Sequence, residues 1–499
     1  MNRRSHATNC VVALAGALSL CASASQAAPK RDKLLESQLR GHIAVLASDD
    51  YGGREPGTDG EAKTLRYLGK QWFDIGLISG TNDPGHDWFA PVTLVAREPA
   101  ASTAFFTRKG KRLPLVADDV LMLTSGNRSL VENAPLLFVG NGLVTPSRNE
   151  LAGRVAVLLA GPGDTGARQN ALLKAGAGAV LTVLDDERTI AEVTARRKRS
   201  GYALASEIIG GDLEGFITAP AFAQLLASPV QGLEALQGAA KSPQFTPVPL
   251  DLTATLEATT RETTIRTHNL IGKLEGKRPE AGAVLFLAHW DHFGQCAEAP
   301  AEHLICNGAI DNASGLAVLT EVARRLSKSG QPDRDIYFLA TTSEELGLLG
   351  AQAFAENPPI PLKQFVAAFN IDSTAIAPAG TPFAIVGKGM TALDPAIAAF
   401  AKADKRRLAD GAYANAYVKR QDAWALLRYD VPAVMVTTAY GEIARMERYF
   451  ETDYHRPSDR YRANLELGGA ADDVGFLVTL GRNFADLKKY PAPSSGPAR

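Results

Sequence analysis

The sequence predicts an α/β fold, with a mostly parallel mixed sheet flanked by helices. In the second half of the chain, short apolar runs with strand character alternate with segments whose apolar residues recur at helical spacing. Such alternation favours parallel pairing, because parallel neighbours need a long crossover connection. The predicted strands are 283–288, 336–341, 365–371 and 431–437, and the helix between the first two presents Leu316, Leu319, Ala323 and Leu326 on one face.

The first half of the chain predicts two helices followed by a separate strand-rich block. The helices have apolar faces formed by Leu35, Leu39, Ile43 and Leu46, and by Ala62, Leu65, Leu68, Trp72 and Ile75. From about residue 115, the apolar runs 135–139, 155–159 and 179–184 read as buried strands. We therefore expect a first part at 28–114, an insert at 115–250, a second part at 251–490 and a disordered tail at 491–499.

Composition places the chain among soluble globular proteins and excludes some partners. Its 499 residues suffice for two or three compact units, and 45% are apolar against 21% charged. The formal net charge is -1 and no polybasic run stands out. Nucleic acid and anionic membrane surfaces are therefore excluded as expected partners.

The first 27 residues predict a signal peptide. Arg3 and Arg4 form a positive start, an apolar stretch follows at 11–20, and Ser25-Gln26-Ala27 offers small residues to a signal peptidase. The stretch is too short to span a bilayer, so we expect export to the periplasm or beyond, with no stable membrane insertion after cleavage. A lipoprotein site at Cys21 and twin-arginine export are alternatives that the flanking residues disfavour.

The cysteines predict one disulfide. Cys10 and Cys21 lie in the predicted signal peptide, which leaves Cys296 and Cys306 in the mature chain. An even number of cysteines in an oxidising compartment predicts that they pair. A metal-binding role is the alternative, but neither cysteine belongs to a paired motif.

Residues that bind metals follow the predicted strands in the second half of the chain. The acids and histidines concerned are His289, Asp311, Glu344, Glu345, Asp372 and His455. Taken singly, each has an ordinary structural explanation, such as a helix cap at Asp311 or a solvated pair at Glu344-Glu345. Together they predict a metal site, because chemistry in such sheets collects beyond the carboxyl ends of the strands.

The motifs around these residues resemble metallopeptidase family 28, the co-catalytic di-zinc aminopeptidases and their carboxypeptidase relatives. They read His-Trp-Asp, Asp-Asn-Ala-Ser-Gly, Ser-Glu-Glu-Leu-Gly, Asn-Ile-Asp and Tyr-His-Arg-Pro-Ser-Asp. The likeness covers most of the mature chain. Residues 49–57 resemble the N-terminal segment of the family, and 115–250 resemble an inserted protease-associated domain.

The resemblance implies two Zn²⁺ per chain, with Co²⁺ or Mn²⁺ as possible substitutes. His289, Asp311 and Asp372 would hold one ion, while Asp311, Glu345 and His455 would hold the other, with Asp311 bridging. Three carboxylates, two neutral imidazoles and a bridging hydroxide would offset the charge of two divalent ions.

The resemblance also implies roles in hydrolysis of the N-terminal bond of peptides with a free N-terminus. Glu344 would be the general base toward the metal-bridging hydroxide. Asp291 would accept the ring N–H of His289, and Tyr454 would stabilise the oxyanion. Many relatives carry Ser-Asp-His where this chain has Gln421-Asp422-Ala423, which puts the substrate pocket in doubt but not the metals.

Three alternative functions stay open. A carboxypeptidase or dipeptidase of the same family would need a basic residue for the substrate carboxylate, and Arg420, Arg428 or Arg445 could serve. A non-catalytic receptor-like relative would have lost ligands or the base, yet all are present here. A single-zinc glutaminyl cyclase is disfavoured because both metal sites look complete.

Overall fold

A computed structural model of the protein describes residues 31–207, 211–226 and 232–491. The predicted signal peptide at 1–27, and residues 492–499 of the predicted tail, lie outside the described residues. Within the described ranges, no helix is both long enough and apolar enough to cross a membrane.

The described part of the chain begins with two helices that pack in the core through their predicted faces, except that Ala62 is exposed. Asp32 caps the first by accepting a hydrogen bond from the backbone N–H of Leu35, and Thr58 caps the second in the same way from Gly60. The elements are α1 (Lys33–Leu46), α2 (Asp59–Ile75), β1 (Ile78–Ser79), β2 (Phe89–Arg108) and β3 (Lys111–Arg112).

The block that follows contains its own small sheet and helices. Its elements are β4 (Val120–Thr124), β5 (Arg128–Phe138), α3 (Arg148–Leu151), β6 (Val155–Leu159), α4 (Thr165–Lys174), β7 (Ala179–Val183), α5 (Ile190–Ser200), β8 (Tyr202–Leu204), β9 (Leu213–Ile217), α6 (Ala219–Leu226) and α7 (Leu233–Ala239). Strands β5, β6, β7 and β9 are parallel neighbours, and β4 closes the edge antiparallel to β9. Alternate residues of β6 enter separate apolar clusters on the two faces, so this sheet is covered on both sides.

The remainder of the chain alternates strands and helices, as predicted. Its elements are β10 (Val248–Leu274), β11 (Ala283–His289), β12 (Gly294–Gln295), β13 (Ile305–Cys306), α8 (Gly315–Ser327), β14 (Asp335–Thr341), α9 (Leu349–Glu356), β15 (Phe365–Asn370), β16 (Ala384–Val386), α10 (Asp394–Ala403), α11 (Ala423–Leu427), β17 (Ala433–Thr437), α12 (Ile443–Thr452) and α13 (Gly468–Ala485).

The sheet of this part is mixed, with parallel strands at its centre. The spatial order is β16–β17–β15–β11–β14–β10, in which β17, β15, β11 and β14 are parallel. Antiparallel pairing occurs at β16 and at β10. The predicted α/β class with a mixed sheet flanked by helices is confirmed.

Helices cover both faces of the central strands, which explains why the strand sequences are continuously apolar. Val284, Phe286 and Ala288 of β11 pack in one cluster with residues of α1, α2, α8 and α13. Leu285 and Leu287 face the other way and pack with residues of α9 and α11.

A long two-stranded ladder joins the two sheets, and the sequence did not predict it. Strand β10 runs from Val248 to Leu274 and pairs antiparallel with β2 along most of its length. It also pairs with β5 at one end and with β14 at the other. The expected junction near residue 250 therefore lies inside a strand that both sheets share.

Candidate metal centre

The carboxyl ends of three neighbouring parallel strands place the central residues of the candidate site. Strand β11 ends at His289, β14 is followed by Glu344 and Glu345, and β15 is followed by Asp372. Because β11 lies between β14 and β15, these side chains come from adjacent positions along one edge of the sheet. Asp311 joins them from the segment before α8, and His455 from the segment after α12.

The side chain of Asp311 lies at the middle of the group and uses both oxygens. Its Oδ1 lies 3.1 Å from Nε2 of His289, and its Oδ2 lies 3.4 Å from Nε2 of His455. Nε2 of His289 also lies 3.6 Å from Oδ1 of Asp372. Nε2 of His455 also lies 3.0 Å from Oε2 of Glu345. The five predicted ligands therefore come together as two triads that share one carboxylate.

Unpaired polar atoms in this group indicate a cation site. Nε2 of His289, Nε2 of His455 and Oε1 of Glu345 are buried without a hydrogen bond. Leaving such groups unsatisfied is costly, whereas a bound cation would satisfy them. Two donors that each lie about 2.0–2.1 Å from a tetrahedral zinc ion are about 3.3 Å apart, which matches the distances within the triads. The donor set therefore fits zinc.

The site is strongly acidic. Asp291, Asp311, Asp422 and Asp459 are buried close to the ligands, as is Glu344. Burial opposes protonation of His455, but the nearby carboxylates of Asp311 and Glu345 prevail and raise its pKa to about 9. Carboxylates in such number attract and stabilise positive charge.

The general base predicted at Glu344 is buried at this edge. Burial raises the pKa of its carboxyl well above the usual value. Its backbone N–H donates to Oδ1 of Asp291 at 3.0 Å, and the N–H of Glu345 donates to Oδ2 of Asp291 at 3.3 Å. Asp291 therefore fixes the turn that carries both glutamates.

This arrangement corrects the predicted contact between Asp291 and His289. Nδ1 of His289 lies 3.2 Å from the backbone carbonyl oxygen of Asp291 and 3.7 Å from its carboxylate. The carboxylate turns toward the two backbone N–H groups, because they offer two hydrogen bonds where the imidazole offers one.

The Asp-Asn-Ala-Ser-Gly motif holds Asp311 next to Asp372. The side chain of Asn312 donates to the carbonyl of Ile371 at 3.0 Å and accepts from the backbone N–H of Ser373 at 3.2 Å. It therefore forms hydrogen bonds with the residues on both sides of Asp372. A side chain at Gly315 would place its Cβ 2.1 Å from the Asn312 oxygen, so glycine is required there.

Tyr454 lies beside the candidate ligand His455, in an aromatic group. Its ring stacks on that of His455 with centroids 3.6 Å apart. The guanidinium of Arg420 lies 5.3 Å from the Tyr454 centroid, a cation–π distance. Burial, together with Asp311 and Glu345, raises the pKa of the Tyr454 phenol far above its usual value, so the phenol stays protonated.

The structure brings further residues to the site whose roles the sequence did not reveal. Asp459 accepts from the backbone N–H groups of Ile310 and Asp311 at 2.9 and 3.1 Å, although its sequence context suggests a turn residue. Asp422 is buried and accepts from the hydroxyl of Thr341. Burial raises the pKa of Asp422 to about 7.

His292 also lies in the centre, with its Nδ1 2.5 Å from Oε1 of Glu345. It forms a second possible donor group with Asp311 and Glu345. The sequence shows it only as the last residue of His289-Trp290-Asp291-His292. The position of His292, three residues after His289, was the sequence feature that could have indicated a role in the site.

Arg54 is fully buried beneath the centre and binds backbone carbonyls of the loops around it. It donates to Trp290 at 2.8 Å, Leu46 at 2.8 Å, Asn307 at 2.6 Å and Gly308 at 3.0 Å. Burial lowers its pKa to about 10, against the attraction of nearby carboxylates. The side chain of Arg54 thus joins the segment at 49–57 to the loops around the site, and its backbone carbonyl also accepts from the N–H of His292 at 3.4 Å.

The predicted disulfide is present. Cys296 and Cys306 are bonded, with their Cα atoms 5.7 Å apart. The bond closes the loop between β12 and β13, which lies between His289 and Asp311 in the chain.

Comparison with known proteins gives a family match for one part of the chain. Residues 269–475 match the profile described as Peptidase family M28. The chain carries a peptidase family M28 domain. All five candidate ligands and Glu344 fall within the matched M28 residues, whereas Arg54 and the block between β3 and β10 fall outside them.

Two curated relatives match short segments of the chain. The alkaline phosphatase isozyme conversion protein of Escherichia coli (strain K12) is 37% identical over 94 residues, covering 17% of this chain and 26% of that protein. Aminopeptidase YwaD of Bacillus subtilis (strain 168) is 32% identical over 145 residues, covering 29% of this chain and 28% of that protein. The matches thus span only about a quarter of these relatives.

One solved structure resembles nearly the whole chain. The aminopeptidase from Aneurinibacillus sp. strain AM-1 superposes with a TM-score of 0.53 at 18% identity, covering 90% of this chain and 93% of that chain. At this identity the likeness shows a shared fold, and the identification of the M28 domain rests on the sequence match.

Proposed function

We propose that this protein is an exported di-zinc aminopeptidase that removes N-terminal residues from peptides. The observation that carries the proposal is the shared carboxylate of Asp311, whose two oxygens face His289 and His455 separately. A carboxylate with a different histidine at each oxygen could bridge two neighbouring ions, as in two-metal sites. The match of residues 269–475 to peptidase family M28 and the likeness to proteins named aminopeptidases support the same function.

His289, Asp311 and Asp372 would hold one zinc ion, and Asp311, Glu345 and His455 the other. Co²⁺ or Mn²⁺ could replace zinc in the same donors. His292 is the competing donor for the second ion. Its 2.5 Å separation from Glu345 is shorter than the distance between two ligands of one tetrahedral ion, so we assign His292 to orienting Glu345 and His455 to the metal.

The bound zinc ions would lower the pKa of a water molecule and polarise the scissile carbonyl. Glu344 would take the proton of that water and return it to the leaving amine. Its burial and raised pKa suit it to hold a proton between these steps. Asp291 acts as a positioning residue, because its carboxylate fixes the backbone N–H groups of Glu344 and Glu345.

The protonated phenol of Tyr454 would donate to the oxyanion that forms on the attacked carbonyl. Stacking against His455 fixes the ring next to a metal ligand. The carboxylates of Glu344 and Asp372 would bind the α-ammonium of the substrate, which regains in charge-assisted hydrogen bonds what it loses in hydration. A free N-terminus is therefore the expected substrate feature.

The carboxypeptidase alternative rests on one arginine. Of the three arginines that could bind a substrate carboxylate, Arg420 is the one that lies against Tyr454, next to the candidate ligand His455. Arg445 lies on the exposed surface, paired with Glu442 at 2.9 Å, and Arg428 is exposed at the end of α11. Only the position of Arg420 favours this second function.

Two further parts of the proposal concern the context of the domain. Export agrees with the Cys296–Cys306 bond, since disulfides persist in oxidising compartments. The block at 115–250, proposed as a protease-associated insert, would border the mouth of the site. In support, Leu204 of β8 packs with Leu349, near the Glu344 turn.

The test compares L-leucine p-nitroanilide with its N-acetylated counterpart on protein whose zinc content is measured in the same sample. We expect two zinc ions per chain and at least a hundredfold higher kcat/KM for the free amine, because the ammonium also positions the carbonyl. Equal rates on both compounds would refute the aminopeptidase assignment. Release of C-terminal residues from N-acetylated peptides would support the carboxypeptidase alternative.

A further inference from the structure

A second cavity, of about 560 Å³, lies inside the block between β3 and β10 and shares no residue with the metal centre. It is a partly open cleft between α4, α5 and one face of the sheet formed by β7, β9 and β4. Its volume lies within the range of small-molecule sites. No residue of the candidate metal centre lines it, so it needs its own explanation.

Among the charged residues in the wall of this cavity, Glu214 and Arg197 carry opposite charges and do not pair with each other. Glu214 of β9 is half-buried, and its carboxylate forms no hydrogen bond or ion pair with another side chain in the described ranges. Arg197 of α5 also lines the cavity and attracts Glu214 electrostatically without forming an ion pair. Its Nη2 donates to the carbonyl of Thr124 at 2.8 Å, which anchors the guanidinium and leaves other N–H groups for a ligand.

The rest of the lining combines apolar surface with polar and charged groups that already have partners. Asp164 accepts from the backbone N–H of Ala167, Arg188 donates to Thr165 and Gly161, and Arg196 also has a partner. Leu123, Leu184, Val193 and Phe216 supply apolar contacts. Gln169 is buried and donates to the buried hydroxyl of Thr182 at 2.8 Å, which fixes its amide at the wall. A half-buried carboxylate without a partner is costly, and a cationic ligand group would supply the missing partner.

We propose that this cavity binds a free α-amino acid with an apolar side chain. The ammonium pairs with Glu214, the carboxylate pairs with Arg197, and the side chain lies against the apolar wall. An α-amino acid suits the site because its ammonium and its carboxylate are attached to the same carbon atom. It can therefore bridge Glu214 and Arg197, which do not pair with each other. This assignment is independent of the function proposed for the metal centre.

Isothermal titration of the full-length, metal-loaded protein with L-leucine tests the proposal. We expect saturable binding that weakens at least tenfold in Glu214→Gln and in Arg197→Gln, since each removes one charge-assisted contact. Glu234→Gln, at an exposed position of α7, should bind L-leucine like the wild type. N-acetyl-L-leucine and L-leucinol, which each lack one of the two charges, should bind at least tenfold more weakly than L-leucine.

Repeating the titration after chelation separates this cavity from the metal centre. Binding that survives removal of the metals and is lost in Glu214→Gln supports the proposal. Binding that is abolished by chelation and unchanged in Glu214→Gln would place the ligand at the metal centre and overturn the proposal, as would no saturable binding. If Glu214→Gln unfolds at a lower urea concentration than the wild type, its loss of binding could come from misfolding. The titration of Arg197→Gln with L-leucine then decides the outcome.

Discussion

Replacing Arg54 with methionine should destabilise the fold and weaken metal binding together. The guanidinium is fully buried and donates to carbonyls of three separate segments, which hold Leu46, Trp290, and Asn307 with Gly308. Methionine fills a similar volume but donates no hydrogen bond. The loops on either side of the ligands would then lose their common anchor.

The magnitude follows from the acceptors that would be left unsatisfied. Gly308 keeps a second donor, the backbone N–H of Ala313, while the Leu46, Trp290 and Asn307 carbonyls rely on Arg54. An unsatisfied buried carbonyl costs about 1–3 kcal/mol, so the loss is about 3–9 kcal/mol before compensation. Removing a buried charge, whose cost shows in the lowered pKa of Arg54, offsets part of this. We expect a net loss of about 3–5 kcal/mol in the free energy of unfolding.

Urea unfolding and zinc analysis after dialysis measure the two effects on the same variants. Arg54→Lys should fall between the wild type and Arg54→Met, because an ammonium keeps the charge but lacks the planar fork of donors. Arg66→Met is the matched control, since Arg66 is exposed on α2 and its replacement should change stability by less than about 0.5 kcal/mol.

The reasoning would be refuted if Arg54→Met unfolded within about 1 kcal/mol of the wild type and kept its full zinc content. A stable variant that lost zinc would instead show that the side chain serves the metal loops and not the fold. Loss of stability with full zinc in the folded fraction would limit its role to packing the N-terminal segment.

Three other predictions test separate parts of the structure. Glu344→Gln should keep the metals and lose about a hundred- to ten-thousand-fold in turnover, the usual effect of removing a general base. His455→Ala should lower the zinc content by about one ion per chain, whereas His292→Asn should keep both ions and lose activity about tenfold or more, as for a residue that orients a ligand. Replacing Cys296 and Cys306 with serine should reduce the free energy of unfolding by about 2–3 kcal/mol, because the bond closes a short loop.

Steady-state kinetics with metal analysis check the predictions for Glu344, His455 and His292. Urea unfolding checks the prediction for the two cysteines. Glu451→Gln, at an exposed position of α12, is the control for Glu344 and should leave turnover unchanged. Near-normal turnover in fully metallated Glu344→Gln would contradict its role as the base. A zinc loss in His292→Asn but not in His455→Ala would exchange the two assignments, and an unchanged unfolding midpoint in the serine variant would contradict the third prediction.

The sequence was informative where burial on both faces leaves a continuous run of apolar residues. Strand β11 is covered by helices on both faces, so its residues 283–288 are all apolar and its position could be predicted. Strands β2 and β10 were missed because the middle of their ladder is exposed and polar, as in Thr259-Thr260-Arg261-Glu262. Their stability comes from each other, and a partner distant in the chain leaves no local pattern.

For the site, the sequence by itself determined which side chains come to one edge, because strand order and strand direction bring the ends of parallel strands together. His289, Asp372 and the two glutamates needed only this rule. The tertiary structure alone decided how these groups are held. The backbone contacts of Asp291, the carbonyl anchor of Arg54 and the place of His292 beside Glu345 depend on ångström-scale distances between segments far apart in the chain, and residue type and spacing do not encode such distances.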